Sequence, residues 1–314
     1  MKAVGVTCFG GPEVIDVFDV PEPHAGPGQV RVRVHAATVN PGDRFLRGGF
    51  TGACALRPPY VLGAEAAGVV DEIGPGTRTG LRVGDRVMAV VMPTSATGGA
   101  CAQYVALPAR QVALAPAGSS HAEAATLPMN GLTARLALDL VGLAPGRTVA
   151  VTGSAGAVGG YAVQLARADG LTVVAVASPD DEELVRSLGA HMVVPRAGDI
   201  GRNILRAVPS GVDGLVDTVG AGASASLAVR EGGTLSSSVG VGSSEELRLR
   251  AIRNRTAVLT SYLGDVERLD RLRIQVEQGR LTLRVARTLP AEEAVAAHRL
   301  LERGGIRGRL VLEF

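Results

Sequence analysis

Three glycines, Gly153, Gly156 and Gly159, are the residues of this chain most plainly spaced for chemistry. They follow an apolar run, VAVT at 149–152, and lead directly into an amphipathic stretch, AVGGYAVQLA at 157–166. A strand that turns through glycines into a helix is how a dinucleotide pyrophosphate site is built. Gly156 would let the backbone approach the phosphates with no side chain in the way, and Gly159 would let the helix lie close on its strand. The N–H groups that open the helix would then hold the anion. The loop departs from the G-x-G-x-x-G fingerprint at one position, where Ser154 replaces the first glycine. Taken alone, it also fits a glycine-rich turn that binds nothing.

Such a loop needs a parallel sheet beneath it, and the later texture of the chain supplies one. Strands are expected at 148–152, 172–177, 192–195, 214–218, 234–239 and 257–261, with helical stretches between them. Strand–helix alternation of this kind reads as a doubly wound parallel sheet. One helix start has a visible local cause: Ser178 would cap free N–H groups, Pro179 suits a first turn, and Asp180 and Asp181 favour the helix dipole. Before this region, strands at 29–36, 67–73, 86–91 and 103–107 are separated by Gly and Pro, which describes a compact β domain. Helical texture begins at His121. The last fifty or so residues read as a helix at 266–278, a strand at 283–288, a helix at 291–303 and a strand at 309–314.

Composition narrows the class. With 314 residues, 46% hydrophobic and 20% charged, the chain is long enough for two cored domains and too apolar for disorder. A net charge of +2 gives no broad electrostatic reason to expect nucleic acid. The basic run LRLRAIRNR at 247–255 reads as a solvated face. Cys8, Cys54 and Cys101 are too scattered for a disulfide framework or a cysteine zinc site. The sequence runs from Met1 into an alternating strand pattern with no signal region and no apolar run of spanning length. The expectation is a soluble cytoplasmic protein with no membrane contact.

The order of motifs along the whole chain resembles the medium-chain dehydrogenase/reductase superfamily, and within it the zinc-free quinone oxidoreductase branch that includes zeta-crystallin. The matching segments are GGPEVIDVFDVPEP at 10–23, HAATVNPGDRFLRGG at 35–49, PYVLGAEAAGVVDEIGPG at 59–76 and VGDRV at 83–87. They continue with AATLPMNGLTA at 124–134, the glycine loop, LGA at 188–190, GVDGLVDTVG at 211–220 and AHRLLERGGIRGRLVL at 297–312. The resemblance implies an α/β protein: a GroES-like β-rich domain from residues 1–118 and 265–314, with an inserted Rossmann domain at 119–264. It also implies NAD(P)H and a small-molecule substrate in a cleft between the two, and a homodimer joined through edge strands near 257–263.

Zinc-dependent relatives place a cysteine and a G-H-E histidine where this chain has Asn40 and Ala64. Neither residue ligates zinc as thiolate or imidazole, Glu65 alone is not a site, and His24, His35, His121, His191 and His298 show no ligand spacing. Without a Lewis acid to hold an alkoxide, hydride delivery to an activated acceptor is the favoured chemistry. A quinone or an α,β-unsaturated carbonyl meets that condition, and the resemblance implies the same acceptors.

The resemblance assigns the nicotinamide end to Asn40, Asp43, Asn130 and Thr133, together with the backbone of Val239 and Gly240. It assigns the rest of the cofactor to the loop Gly153, Ser154, Ala155, Gly156, Ala157, Val158 and Gly159. Asp43 also lies one helical turn before Arg47, and a simple ion pair between them is the plainer alternative. NAD enzymes place an acid roughly 20 residues after the loop. Here that position falls at Ser178, which would donate to a 2′-phosphate, so NADPH is expected ahead of NADH. Many quinone and enoyl reductases of the superfamily carry a tyrosine, a proton donor in the enoyl reductases, where this chain reads Phe50-Thr51; Tyr60 is the alternative donor nearby, but it is expected to pack at the start of a strand. Two alternatives stay open: an enoyl reductase of a polyketide-type pathway, and a non-catalytic NADPH-binding or structural protein.

Overall fold

A computed structural model describes residues 1–49, 58–95, 97–239 and 245–314. Phe50, Thr51 and Gly240 lie outside the described residues. In chain order the strands are β1 Lys2–Val6, β2 Ile15–Asp19, β3 Gln29–Thr38, β4 Tyr60–Val61, β5 Glu65–Ile73, β6 Arg86–Val90, β7 Tyr104–Pro108 and β8 Val112–Leu114. They continue as β9 Thr148–Val151, β10 Thr172–Ala177, β11 Met192–Pro195, β12 Val212–Asp217, β13 Val229–Ser237, β14 Arg253–Thr256, β15 Val285–Pro290 and β16 Arg309–Glu313. The helices are α1 Asp43–Arg47, α2 His121–Ala125, α3 Pro128–Val141, α4 Ala157–Ala168, α5 Glu182–Ser187, α6 Ile200–Ala207, α7 Gly222–Ser226, α8 Glu245–Leu249, α9 Val266–Glu277 and α10 Ala294–Arg303.

Two compact units result. The first contains Met1–Met129, Leu263–Glu277 and Leu283–Phe314; the second contains Asn130–Tyr262 and Gln278–Thr282. Residues 119–129, expected at the start of the second domain, fall in the first unit, because α2 packs on β3, β5 and β6.

The first unit is built on β3. Its sequence QVRVRVHAAT alternates, so Val30, Val32 and Val34 are buried while Arg31 faces outward and makes a two-pronged bond to Asp71 at 3.0 and 2.9 Å. Each buried valine contributes about 1.5–3 kcal/mol. At its far end β3 changes character: Ala36, Ala37 and Thr38 are all buried, because β5 pairs on one side and β16 on the other. The larger sheet runs β15-β16-β3-β5-β6-β8, with β7 also on β3, and a three-stranded sheet β2-β1-β4 completes the unit. Antiparallel pairing has a direct consequence: the end of β3 meets the start of β5 and the start of β16.

The second unit is the expected parallel sheet, in the order β11-β10-β9-β12-β13-β14. From β9 the chain adds β10 and β11 on one side and β12 to β14 on the other, so the strand order reverses between β9 and β12. Ligands of open parallel sheets bind outside the carboxyl ends of the strands at such a reversal.

Three details differ from the expectation. β2 and β8 were not anticipated, and the last strand of the parallel sheet is Arg253–Thr256 rather than 257–261, where Leu259–Tyr262 forms a tight helical turn. The outer strand RNRT has no apolar alternation to read, since it sits at the sheet's edge with three of its four residues exposed. Nor is the basic run only a solvated face: Arg250 donates to the carbonyls of Ser226 and Leu227, and Arg253 Nε to Thr234 Oγ1. Among the described residues no helix is long and apolar enough to cross a membrane.

His298 on α10 is buried with neither ring nitrogen hydrogen-bonded. Burial first, and the positive field of Arg47 second, push its pKa from 6.5 down to about 4. The unfolded chain therefore binds a proton that the folded chain refuses across that interval. Stability that is complete above pH 6.5 drains away as the pH falls towards about 4. Urea unfolding should show the wild type losing about 2 kcal/mol more than His298→Leu between pH 7 and pH 5. Equal losses in the two proteins would contradict this account.

Candidate functional site

The glycine loop leaves β9 at the reversal of strand order. Gly153 has φ +61°, and a Cβ there would lie 2.5 Å from both Thr218 Oγ1 and Val219 Cγ1. Both the backbone angle and the neighbours demand glycine. A Cβ on Gly159 would lie 2.1 Å from the Gly153 carbonyl, so its absence is what lets α4 start against the loop. Gly156 takes the cap position of α4 with extended backbone, and no side chain caps that helix. The N–H groups of the first turn, from Ala157, Val158 and Gly159, have no partners within the helix. With the helix dipole behind them, these groups suit the pyrophosphate of a dinucleotide.

Ser154, expected among the cofactor contacts, turns its side chain the other way. Its hydroxyl donates to the Val151 carbonyl at 2.6 Å and accepts from Val176 N at 3.1 Å, and the residue is fully buried. The hydroxyl ties the end of β9 to β10, so only the backbone of Ser154 remains for a ligand.

The end of β10 also differs from expectation. Ser178 makes no side-chain cap bond, because its hydroxyl donates to Asp181 Oδ2 at 2.5 Å. A proton given to a carboxylate is not available to a 2′-phosphate. A basic residue that chain order does not bring to this end of the sheet, Arg196, does lie here. Its backbone N donates to Ala177 O at 2.9 Å, which sets it beside the end of β10, and its exposed guanidinium has no partner among the described residues. Register between β10 and β11 is the signal that locates it, and that register is invisible along the chain. Arg186, the nearer candidate in sequence, pairs with Glu182.

Val239 follows β13 and is exposed. On α3, Asn130 is buried and Thr133 nearly so; three residues apart, they share one face of the helix.

In the first unit, the junction of β3, β5 and β16 gathers Thr38, Asn40, Glu65 and Arg309, all buried. Thr38 Oγ1 donates to Glu65 Oε1 at 2.6 Å, and Met129 N donates to Glu65 Oε2 at 2.8 Å. The Arg309 guanidinium donates to Asn40 Oδ1 and lies 3.7 Å from Glu65 Oε1. Asn40 Nδ2 in turn donates to Thr38 Oγ1 at 2.9 Å. Both ends of the Asn40 amide are thus engaged within the protein.

Asp43 is engaged likewise: its carboxylate accepts from Asn40 N at 2.8 Å and Gly63 N at 3.0 Å. Burial pushes its pKa from 3.8 up to about 6, against those backbone bonds and the Arg309 charge. The simple ion pair with Arg47 does not form. Arg47 donates instead to the Gly10 carbonyl and to Glu302. Asn40 and Asp43 come together as a brace of the loop after β3. Tyr60 stacks on Phe9 with ring centres 5.5 Å apart, as a packing residue. Two of the scattered histidines do meet, His35 and His121 stacking at 4.5 Å.

Residues 26–117 match the family described as the alcohol dehydrogenase GroES-like domain, and residues 188–312 match the family described as zinc-binding dehydrogenase. The NADPH-dependent alkenal/one oxidoreductase of Arabidopsis thaliana, a chloroplastic protein, is 32% identical over 74% of this chain. The aligned region is 61% of that relative, so the chain spans about three fifths of its length. Among solved structures, an NAD-dependent alcohol dehydrogenase is 31% identical with a TM-score of 0.89, covering all of both chains. The quinone oxidoreductase of Coxiella burnetii is 29% identical with a TM-score of 0.87, over 100% of this chain and 99% of that one.

The donor set here does not fit the zinc of that second family description. Asn40 Oδ1 already receives a guanidinium, position 64 is alanine, and among the described residues no three His, Cys, Asp or Glu side chains group to hold a metal. The glycine loop does fit a dinucleotide, through its uncapped helix and its missing side chains.

Ser154 provides a test in which the fingerprint and the structure disagree. Ser154→Gly restores the consensus glycine but removes two buried hydrogen bonds. Urea denaturation should show a loss of about 1–3 kcal/mol. A neutral or stabilising substitution would refute the bridging role.

Proposed function

The chain belongs to the medium-chain dehydrogenase/reductase superfamily, in its quinone-oxidoreductase-like branch, and on that premise we propose that it is an NADPH-dependent reductase of quinones or α,β-unsaturated carbonyls. The observation that carries the proposal is the glycine loop opening an uncapped helix at the reversal of strand order. When bound, NADPH supplies a hydride.

The acceptor class follows from the site's charges. Arg309 is the cation of the first-unit cluster, and its guanidinium is already held on Asn40 and beside Glu65, so it is not a free positive charge to stabilise an alkoxide. An acceptor that spreads incoming negative charge by conjugation needs only hydrogen-bond donors. A quinone that gains a hydride becomes a hydroquinone anion, and water supplies the proton that completes it. Asn130 and Thr133, on one face of α3, would orient the reacting ring. Val158 and Gly159, with the rest of the first turn of α4, would hold the pyrophosphate. Asn40 and Asp43 act as positioning residues that fix the loop after β3, since their polar atoms bond within the protein.

For the 2′-phosphate, Arg196 replaces Ser178 in this reading. It offers an unpaired guanidinium beside the end of β10, where the adenosine ribose of a bound dinucleotide comes to lie.

Two experiments test the proposal. Absorbance at the nicotinamide band should fall when NADPH is mixed with members of a panel of quinones, enones and enoyl thioesters. Cofactor binding with no turnover on any of them would sink the enzyme reading, and turnover confined to thioesters would point to the biosynthetic enoyl reductase. Arg196→Ala should raise the KM for NADPH about tenfold and leave that for NADH within about twofold. Equal changes for both cofactors would remove Arg196 from 2′-phosphate recognition.

A further inference from the structure

The cofactor reading leaves a buried acid at the reversal of strand order without a role. Asp217 ends β12 and Thr152 follows β9, which pairs with β12 at Val151 and Val216; both polar residues are fully buried. Thr152 Oγ1 donates to Asp217 Oδ1 at 2.6 Å. The same carboxylate accepts from Val219 N at 3.2 Å, Ala221 N at 3.1 Å and Gly222 N at 3.0 Å. Thr152 binds the next residue of the β12 loop twice over, its Oγ1 accepting from Thr218 N at 3.1 Å and its carbonyl accepting from Thr218 Oγ1 at 2.8 Å.

We propose that Thr152 and Asp217 form a clamp that sets the position of the phosphate loop before any cofactor arrives. The inference rests on the dinucleotide reading of that loop. Gly153 is the next residue after Thr152, and it is the residue a side chain would drive into Thr218 and Val219. The clamp therefore holds the loop after β12 directly against the loop's first glycine. On the other side Ser154 ties the loop to β10. The loop is fixed from both neighbouring strands, so its N–H groups need little ordering when an anion binds. Asp217 does this as an acceptor for four donors; an amide in its place would turn an NH2 group against some of them. Neither residue touches the cofactor in this account, and both are positioning residues.

Four proteins test the clamp: wild type, Thr152→Ser, Thr152→Val and Asp217→Asn. Thr152→Ser keeps the hydroxyl and should bind NADPH within about twofold of wild type in a fluorescence titration. Thr152→Val and Asp217→Asn should weaken binding by about tenfold or more, while kcat at saturating NADPH changes far less. A purely structural role would lower the melting temperature without this rescue by serine and without the split between affinity and kcat. Hydrogen exchange of the amides from Gly153 to Val158 provides the second readout, and it should quicken in Thr152→Val but not in Thr152→Ser.

Wild-type binding of NADPH with an unaltered Thr152→Val affinity would overturn the clamp. If wild type bound neither NADPH nor NADH, the cofactor reading would fail instead. Hydrogen exchange would then still decide the clamp, since unchanged loop exchange in Thr152→Val would overturn it by itself.

Discussion

The burial of one guanidinium organises the first unit. Arg309 cannot lie inside the protein without a carboxylate and further acceptors, because an unpaired buried charge costs several kcal/mol. It finds Glu65 and Asn40, so that Arg309 on β16, Glu65 on β5 and Asn40 just after β3 are brought together. The C-terminal strand must therefore run beside the N-terminal ones. Residues between them are left to form a unit of their own, and the parallel sheet is that insertion. Topology here follows from a charge that has to be neutralised as much as from the valines of β3.

Both units use their polar side chains in the same way. Asn40, Asp43 and Glu65 are engaged with backbone or with one another in the first unit, and Thr152, Ser154 and Asp217 are engaged likewise in the second. Satisfied buried networks stiffen the backbone that carries them. The backbone N–H groups at the start of α4, by contrast, have no partners within their helix. Such a design suits hydride transfer, where placing two reactants matters more than moving protons through a relay.

The parallel sheet, its approximate strands and the glycine turn into a helix are legible along the chain, because each is written in local periodicity and glycine spacing. What the sequence hid depends on register. Ser154 looked like a flaw in a fingerprint, yet its hydroxyl bridges two strands whose pairing no local pattern reveals. Asn40 and Asp43 stand out in the motif, but their engagement with Arg309 and Gly63 spans contacts far apart in sequence. The Asp43–Arg47 ion pair failed as an expectation because Glu302, distant along the chain, claims the arginine. The outer strand β14 escaped notice since an exposed edge imposes no apolar alternation.

Cofactor discrimination shows how far a local reading can mislead about charge. Counting roughly 20 residues on from the loop finds a serine and no acid, which suggests a site open to phosphate. In space, the serine brings Asp181 with it, so a carboxylate does stand near the end of β10. Arg196 stands there as well, delivered by β11. Selectivity is a difference between two affinities, and a site with charges of both signs sets both terms. The carboxylate disfavours a 2′-phosphate, while the unpaired arginine favours it. Asp181 is already the acceptor of a hydroxyl and is largely buried, whereas the guanidinium is exposed and uncommitted. The exposed guanidinium can move to meet a phosphate while the buried carboxylate is held in place by Ser178, and this difference supports the proposed preference for NADPH.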